Sequence, residues 1–373
     1  MTSSDGSERL HVAFLNSWYE DSARGSGTAT AITGLAEGLA SLGHRVTLVR
    51  PKKSRLPFFL GRLMYNLGLG RRLSGNSFDL ILGFDLDGCF YRPGPRQPYA
   101  VCLKGVSAEE MTFERGWPRL LLWTHSLLER RNARRAERVL VISEYNRRAA
   151  IEAYGLEPEK VSVVPEGISL TDWAPLQAEP PPRTDPRPAI LTVAHQYPRK
   201  NTKTILAAIP AVRAAVPQAR LRIVGGGPML PSLRGMVKEL GLEEAVGFLG
   251  TVPRDVDVRR EYFGADVFCL PSLQEGFGIV FLEAMAAGLP IVASTAAAIP
   301  EVAPDGEVAI LVPPLDAEAL AGAIIRLLKD PVLRARLGAI GQERVRGYDF
   351  PAVAQKCLAA ALKGEERNIH AYR

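Results

Sequence analysis

Two glutamates eight positions apart, Glu275 and Glu283, frame the segment EGFGIVFLE. Carboxylate oxygens accept hydrogen bonds from vicinal hydroxyls, and the glycines beside the first glutamate, Gly276 and Gly278, let a ligand come close to backbone. At the α-helical rise, Glu283 falls about one turn and a half into the helix that follows, near enough to its mouth to accept both hydroxyls of a ribose. Glu275, in the loop, faces what lies beyond the phosphates. Each has an ordinary alternative: a glutamate near a helix N-terminus favoured by the dipole, and a solvated loop carboxylate.

The flanking sequence supplies the frame. DVFCLPS (266–272) is a short apolar β-type run, and IVFLEAMAA is a helical segment stopped by Gly288 and Pro290. PIVAS (290–294) then opens another strand. The motif therefore sits at the carboxyl end of a strand in a β-loop-α-β unit. In parallel sheets that edge binds ligands, because helix N-termini offer N–H groups and partial positive charge to a phosphate.

From Pro271 to about Asp316 the chain resembles the retaining glycosyltransferases of the large bacterial GT-B family, of the family 4 or "group 1" type, which carry a Glu-x7-Glu signature. The resemblance implies that Glu275 contacts the donor sugar and Glu283 the nucleotide ribose. It further implies that the amides of Gly276, Phe277, Gly278 and Ile279 stabilise the donor diphosphate. In VAHQYPRKNTKTIL (193–206), Lys200 matches the family's phosphate-binding lysine, while His195 replaces its arginine and Asn201 its glycine. Arg199 is placed to compensate, although for Arg199, Lys200 and Lys203 a solvated loop is the alternative. IVGGGP (223–228) resembles the family turn whose glycines, here Gly225 and Gly227, line the nucleotide pocket; RGSGTAT (24–30) resembles its Gly-rich loop through Gly25 and Gly27. Three positions depart from the pattern. Lys104 stands where many relatives have histidine, Glu166 where they have asparagine, and AAIPE (297–301) replaces a Gly-Gly-x-Pro-Glu type. Lys104 is suited to steering an anionic acceptor or supporting the departing phosphate, and not to the proton shuttle of a neutral imidazole.

The rest of the chain divides into two βα series. HVAFL, RVTLV, FDLILGF, YAVCLKG, RVLVIS and VSVVPEG alternate with helical segments, the first spanning about 28–42. After the proline-dense connector 174–189 come AILTVA, RLRIVG, VGFLG, DVFCLPS, PIVAS and AILVP. The expected fold is α/β, of GT-B type. Two Rossmann-like, doubly wound parallel-sheet domains, 1–180 and 181–349, are expected to face each other across a cleft that closes on the donor, and the resemblance implies that a terminal helix within 350–373 returns to the first.

Composition narrows the function classes. With 47% hydrophobic and 23% charged residues the chain is an ordinary globular one, without a secretory leader or an apolar run long enough for a membrane span, so cytoplasm is the expected compartment. Cys89, Cys102, Cys269 and Cys357 lack CxxC pairing or nearby histidines, which suggests reduced structural thiols. The net charge of +6 divides evenly between the halves and argues against a nucleic-acid surface. Asp85/Asp87 and Asp255/Asp257 form DxD pairs without further ligands, so they are expected to be polar loop residues and no metal is expected. The glycines after HVAFL come too late, and no acidic residue follows RVTLV, for a dinucleotide site. Residues 50–72 carry seven basic and no acidic residues among aromatic and aliphatic ones, a composition suited to an anionic membrane or a lipid-linked acceptor; the basic stretch 127–138 adds to it. Both also fit helices with solvated arginines.

The expected function is transfer of a sugar from a nucleotide-diphosphate sugar to an unidentified sugar or lipid-linked acceptor, as in cell-surface polysaccharide synthesis. The resemblance implies that the anomeric configuration is retained; no cofactor beyond the co-substrate is expected, and Glu275 and Lys200 are the expected catalytic pair. A phosphorylase or epimerase is disfavoured by length and by the lack of a cofactor-lysine motif. A non-catalytic nucleotide-sugar sensor is the alternative from another class.

Overall fold

Runs of Val, Ile, Leu and Phe only four or five residues long, bounded by Gly, Pro or polar residues, suit strands buried on both faces of a parallel sheet. The structure, a computed structural model, describes residues 9–18, 27–51, 58–94, 97–183 and 185–363. In it every expected strand forms: β1 His11–Leu15, β2 Arg45–Val49, β3 Leu80–Phe84, β4 Tyr99–Leu103, β5 Arg138–Val141 and β6 Val161–Val163, then β7 Ala189–Val193, β8 Arg220–Val224, β9 Val246–Gly250, β10 Val267–Leu270, β11 Ile291–Ser294 and β12 Ala309–Val312.

The described residues fall into two compact units, one built from residues up to 167 and from 350 onward, the other from 168–349. The first holds a parallel sheet ordered β2-β1-β3-β4-β5-β6, the second a parallel sheet ordered β12-β11-β10-β7-β8-β9. Each sheet reverses direction beside its own first strand, at β1/β3 and at β7/β10. The loops leaving the two strands of such a reversal diverge to opposite faces and leave a crevice at the carboxyl edge.

In the first unit, the helix Phe350–Ala361 packs with the helix Gly27–Ser41 on one face of the sheet; Val353, Ala354, Cys357 and Leu358 share a core with Val12, Phe14, Ile32 and Leu35. The two helices approach closely because Gly34 and Gly38 have no side chains. A Cβ on Gly34 would lie 2.1 Å from the Phe350 ring, and one on Gly38 2.6 Å from the Phe350 carbonyl oxygen.

One expectation is corrected. The connector was placed at 174–189, but residues up to 178 belong to the helix Leu170–Ala178, with Pro175 inside it. Proline density masked an anchor: Trp173, 3% exposed, packs its ring against those of Tyr262 and Phe263.

Candidate active site

The adjacency of β7 and β10 brings together residues 75 apart in sequence. Ile190 and Leu191 pair with Val267 and Phe268, so the loops leaving these strands emerge side by side. They are tied by backbone, Leu273 N–H donating to the Arg199 carbonyl at 2.7 Å, and by the Asn201 amide, which donates to the Pro271 carbonyl at 3.0 Å. Lys200 thereby reaches Glu275, its ammonium 2.5 Å from Oε1, which also accepts from the Ser272 hydroxyl at 2.9 Å. Arg199 donates to Gln274 at 3.4 Å. The Glu275 and Lys200 side chains are 7% and 14% exposed, which excludes the solvated-loop alternative for both.

Burial is the largest influence on Glu275 and would raise its pKa, but the charges of Lys200 and Arg199, with the bonds from Lys200 and Ser272, outweigh it and hold the carboxyl below the usual range. The site thus keeps a buried carboxylate ionised beside a half-buried ammonium. His195, exposed at the rim and 4.5 Å from the Tyr197 ring between centroids, is moved the other way: partial burial first, then Lys200 and Arg199, lower its pKa. The imidazole is therefore neutral at pH 7 and adds no second cation.

The loop from Glu275 enters the helix Ile279–Ala286 through Gly278, whose φ of 92° is left-handed. A Cβ there would lie 2.6 Å from the Phe281 ring, so glycine is required on both counts. Four residues past Glu275 the helix N-terminus places its partial positive charge beside the loop. Phe277 is buried, its ring 6.0 Å from that of Tyr348. Glu283 is half-buried on this helix, and its Oε2 accepts the Tyr262 hydroxyl at 2.5 Å. Two oxygens were expected to serve a ribose; the tyrosine takes one, and among the described residues Oε1 accepts no bond. Burial raises the Glu283 pKa, against the lowering effect of the Tyr262 bond.

Gly225 and Gly227 border the same crevice at the end of β8. Their φ values are 116° and 147°, and added Cβ atoms would strike the Ala194 carbonyl at 1.9 Å and the Gln196 amide at 2.6 Å. Between them Gln196, fully buried, bonds Gly226, Met229, Ala194 and Thr202. Sequence reasoning singled out neither this brace nor Ser272, Gln274 and Tyr262. The signal for Tyr262 was helical register alone, and for Gln196 there was none.

Lys104 and Gly27 belong to the first unit, and Gly25 lies outside the described residues. The steering role expected of Lys104 is corrected: both side chains of the Lys104–Glu166 pair are 6% exposed, and its ammonium sits 2.7 Å from Glu166. Burial would lower the lysine's pKa, but Glu166 more than offsets it and raises it. Two departures from the family pattern are therefore one buried ion pair. Asp85 and Asp87, expected as polar loop residues, lie in the turn after β3 at the β1/β3 reversal and are 5% and 0% exposed. Asp85 accepts from Trp18 and from the Lys104 amide, and Asp87 from Ser17 and Asn66. Arg62, expected on a basic surface, turns inward to donate to Ser17 at 2.7 Å; residues 52–57 of that segment lie outside the described residues. Asp257 is held by Arg254 and Arg260. Among the described residues no group of three or more His, Cys, Asp or Glu is arranged to hold a metal, and no helix is long and apolar enough to cross a membrane.

Two parallel reversing sheets are the architecture of GT-B glycosyltransferases, and solved structures of that class superpose on nearly the whole chain. Sucrose-phosphate synthase from Thermosynechococcus elongatus does so with a TM-score of 0.76 at 23% identity, over 98% of this chain and 100% of its own. Anabaena Alr3699/HepE in complex with UDP and glucose gives 0.71 at 19% identity, over 95% and 100%. The sequence gives the family. Residues 25–172 match the profile of Glycosyltransferase Family 4 and residues 176–344 that of Glycosyl transferases group 1, and the chain belongs to this family. Among curated relatives, the phosphatidyl-myo-inositol mannosyltransferase of Mycobacterium leprae is 37% identical over 59% of this chain and 57% of its own. The GDP-mannose-dependent alpha-(1-6)-phosphatidylinositol monomannoside mannosyltransferase of Mycolicibacterium smegmatis is 32% identical over 61% and 62%. The chain thus spans about three fifths of the length of these relatives.

Proposed function

We propose that the chain transfers a hexose from a nucleoside-diphosphate sugar to a hydroxyl acceptor with retention of configuration, without a metal ion. The observation that carries this reading is the Lys200–Glu275 pair at the β7/β10 reversal, a half-buried cation that helps hold a buried carboxylate ionised. In the reaction the bond from the anomeric carbon to the diphosphate oxygen breaks as a bond to the acceptor oxygen forms on the same face. The acceptor's proton passes to the leaving phosphate. Lys200 and the N-terminus of the helix Ile279–Ala286 stabilise the charge growing on that phosphate, Glu275 opposes positive charge at the anomeric centre, and Glu283 holds the ribose through the oxygen Tyr262 leaves open.

The relatives' names favour GDP-mannose as donor and an inositol-bearing phospholipid as acceptor class. Nucleotide release from a panel of GDP-, UDP-, ADP- and dTDP-sugars, with the Glu275→Ala variant beside the wild type, tests the reading. Release from GDP-mannose that falls at least about a hundredfold in the variant supports it. Tight binding of a nucleotide sugar without turnover under any acceptor would instead establish a sensor.

A further inference from the structure

The helix Trp117–Arg135 of the first unit is amphipathic in the wrong sense for a surface helix. The face it buries carries Ser126, Glu129 and Asn132; Glu129 accepts from the Ser107 hydroxyl and the Tyr154 hydroxyl. The face it turns to solvent carries Trp117, Leu120, Trp123 and Leu127, which are 74%, 49%, 49% and 45% exposed. Their spacing of three and four residues puts them on one side of a helix of 3.6 residues per turn, opposite Glu129. Lone exposed apolar residues are ordinary; a stripe of four with two tryptophans is not.

Charge says what covers it. Arg119 and Arg130 share the helix edge beside Trp123, Arg115 precedes the first turn, all three are exposed, and no acidic residue occurs between Arg115 and Leu128. The segment Gly116–Leu120 is exposed at every residue. Tryptophan and leucine flanked by arginine on an exposed helix face match the interfacial zone of a bilayer, where the ring lies at headgroup depth and the guanidinium pairs with phosphate. We propose that this face docks on an anionic lipid surface, with Trp117 and Trp123 as the inserting residues and Arg115, Arg119 and Arg130 as the headgroup contacts. The proposal does not depend on the identity of the sugar donor.

The test is co-sedimentation of the full chain with vesicles of phosphatidylcholine, alone or mixed with phosphatidylglycerol, with tryptophan emission recorded in parallel. Trp173 is buried and Trp18 is half-buried with its indole N–H bonded to Asp85, so the part of the shift lost in the Trp117/Trp123 variant reports insertion of the exposed pair. Expected are binding to the mixed vesicles with a blue shift, and binding about tenfold or more weaker to phosphatidylcholine alone or in high salt. Trp117→Ser with Trp123→Ser should abolish the shift and weaken binding at least about tenfold at unchanged melting temperature. Arg115→Ser, Arg119→Ser and Arg130→Ser together should remove the salt-sensitive part. The proposal is overturned if the wild type leaves mixed vesicles unbound or if the double tryptophan variant sediments as the wild type does. A wild-type dimer in ultracentrifugation that the double variant loses, with vesicle binding unchanged, would likewise overturn it and assign the face to a second copy.

Discussion

The charge of Lys200 helps keep Glu275 ionised against its own burial. Lys200→Ala removes a charge that opposes the effect of burial, so the Glu275 pKa moves up, and on the proposed mechanism one donor to the leaving phosphate is lost. We expect kcat to fall by about a hundred- to a thousandfold, with the acid limb of the pH–rate profile displaced to higher pH. The sign for stability follows from the depressed folded pKa. The carboxylate's contribution is fully present above the unfolded glutamate value of about 4.3 and is lost as pH falls through the folded one, which acid melts of wild type and variant would resolve. A second residue carries strain. Ala297 has φ of 53°, a left-handed conformation, and the next residue's N–H donates to the Glu275 carbonyl at 3.2 Å. Glycine occupies this place in the family pattern, and Ala297→Gly should raise stability by about 1 kcal/mol, read by denaturant melts, without loss of activity.

Short elements and their junctions set the geometry. Asn201, φ 57°, both ends the loop that carries Lys200 and starts the helix Thr202–Ala215, and its side chain bonds the Pro271 carbonyl. Asn201→Ala and Asn201→Gly both lose that bond, but only alanine also meets the left-handed backbone. The alanine variant should therefore fall about 1 kcal/mol below the glycine variant, with a larger loss of kcat. All twelve strands were legible because each is a brief apolar run between breakers, and the Glu-x7-Glu spacing was legible because strand, glycines and helix follow in order. The partners were not. The Tyr262 hydroxyl on Glu283, the pairing of Lys104 with Glu166 and the burial of Asp85 and Asp87 are contacts across 21, 62 and 19 to 70 residues, written in strand order rather than in local pattern. A charged residue in a loop has the same local signature whether it is solvated or buried against a partner.

At the scale of the whole molecule, the first unit is completed by the chain's last described helix. Phe350 fits where Gly34, Gly38 and Gly167 leave room for it, and a Cβ on Gly167 would come within 2.5 Å of its ring. Phe350→Ala should cost about 3–5 kcal/mol, felt in the first unit: hydrogen exchange at Val12–Leu15 should quicken while exchange at Ile190–Val193 holds. Return of a terminal helix was implied by family resemblance, and the apolar spacing after Phe350 alone would have left it an ordinary amphipathic end.

The central claim is that the β7/β10 reversal binds a nucleoside diphosphate through Lys200 and Glu283. Calorimetric titration of GDP into the wild type, Lys200→Ala and Glu283→Ala tests it most directly. Saturable binding weakened at least about tenfold in each variant, about 1.4 kcal/mol, is the predicted result. Equal affinity in all three proteins, or no binding of GDP, UDP, ADP or dTDP to the wild type, would contradict it.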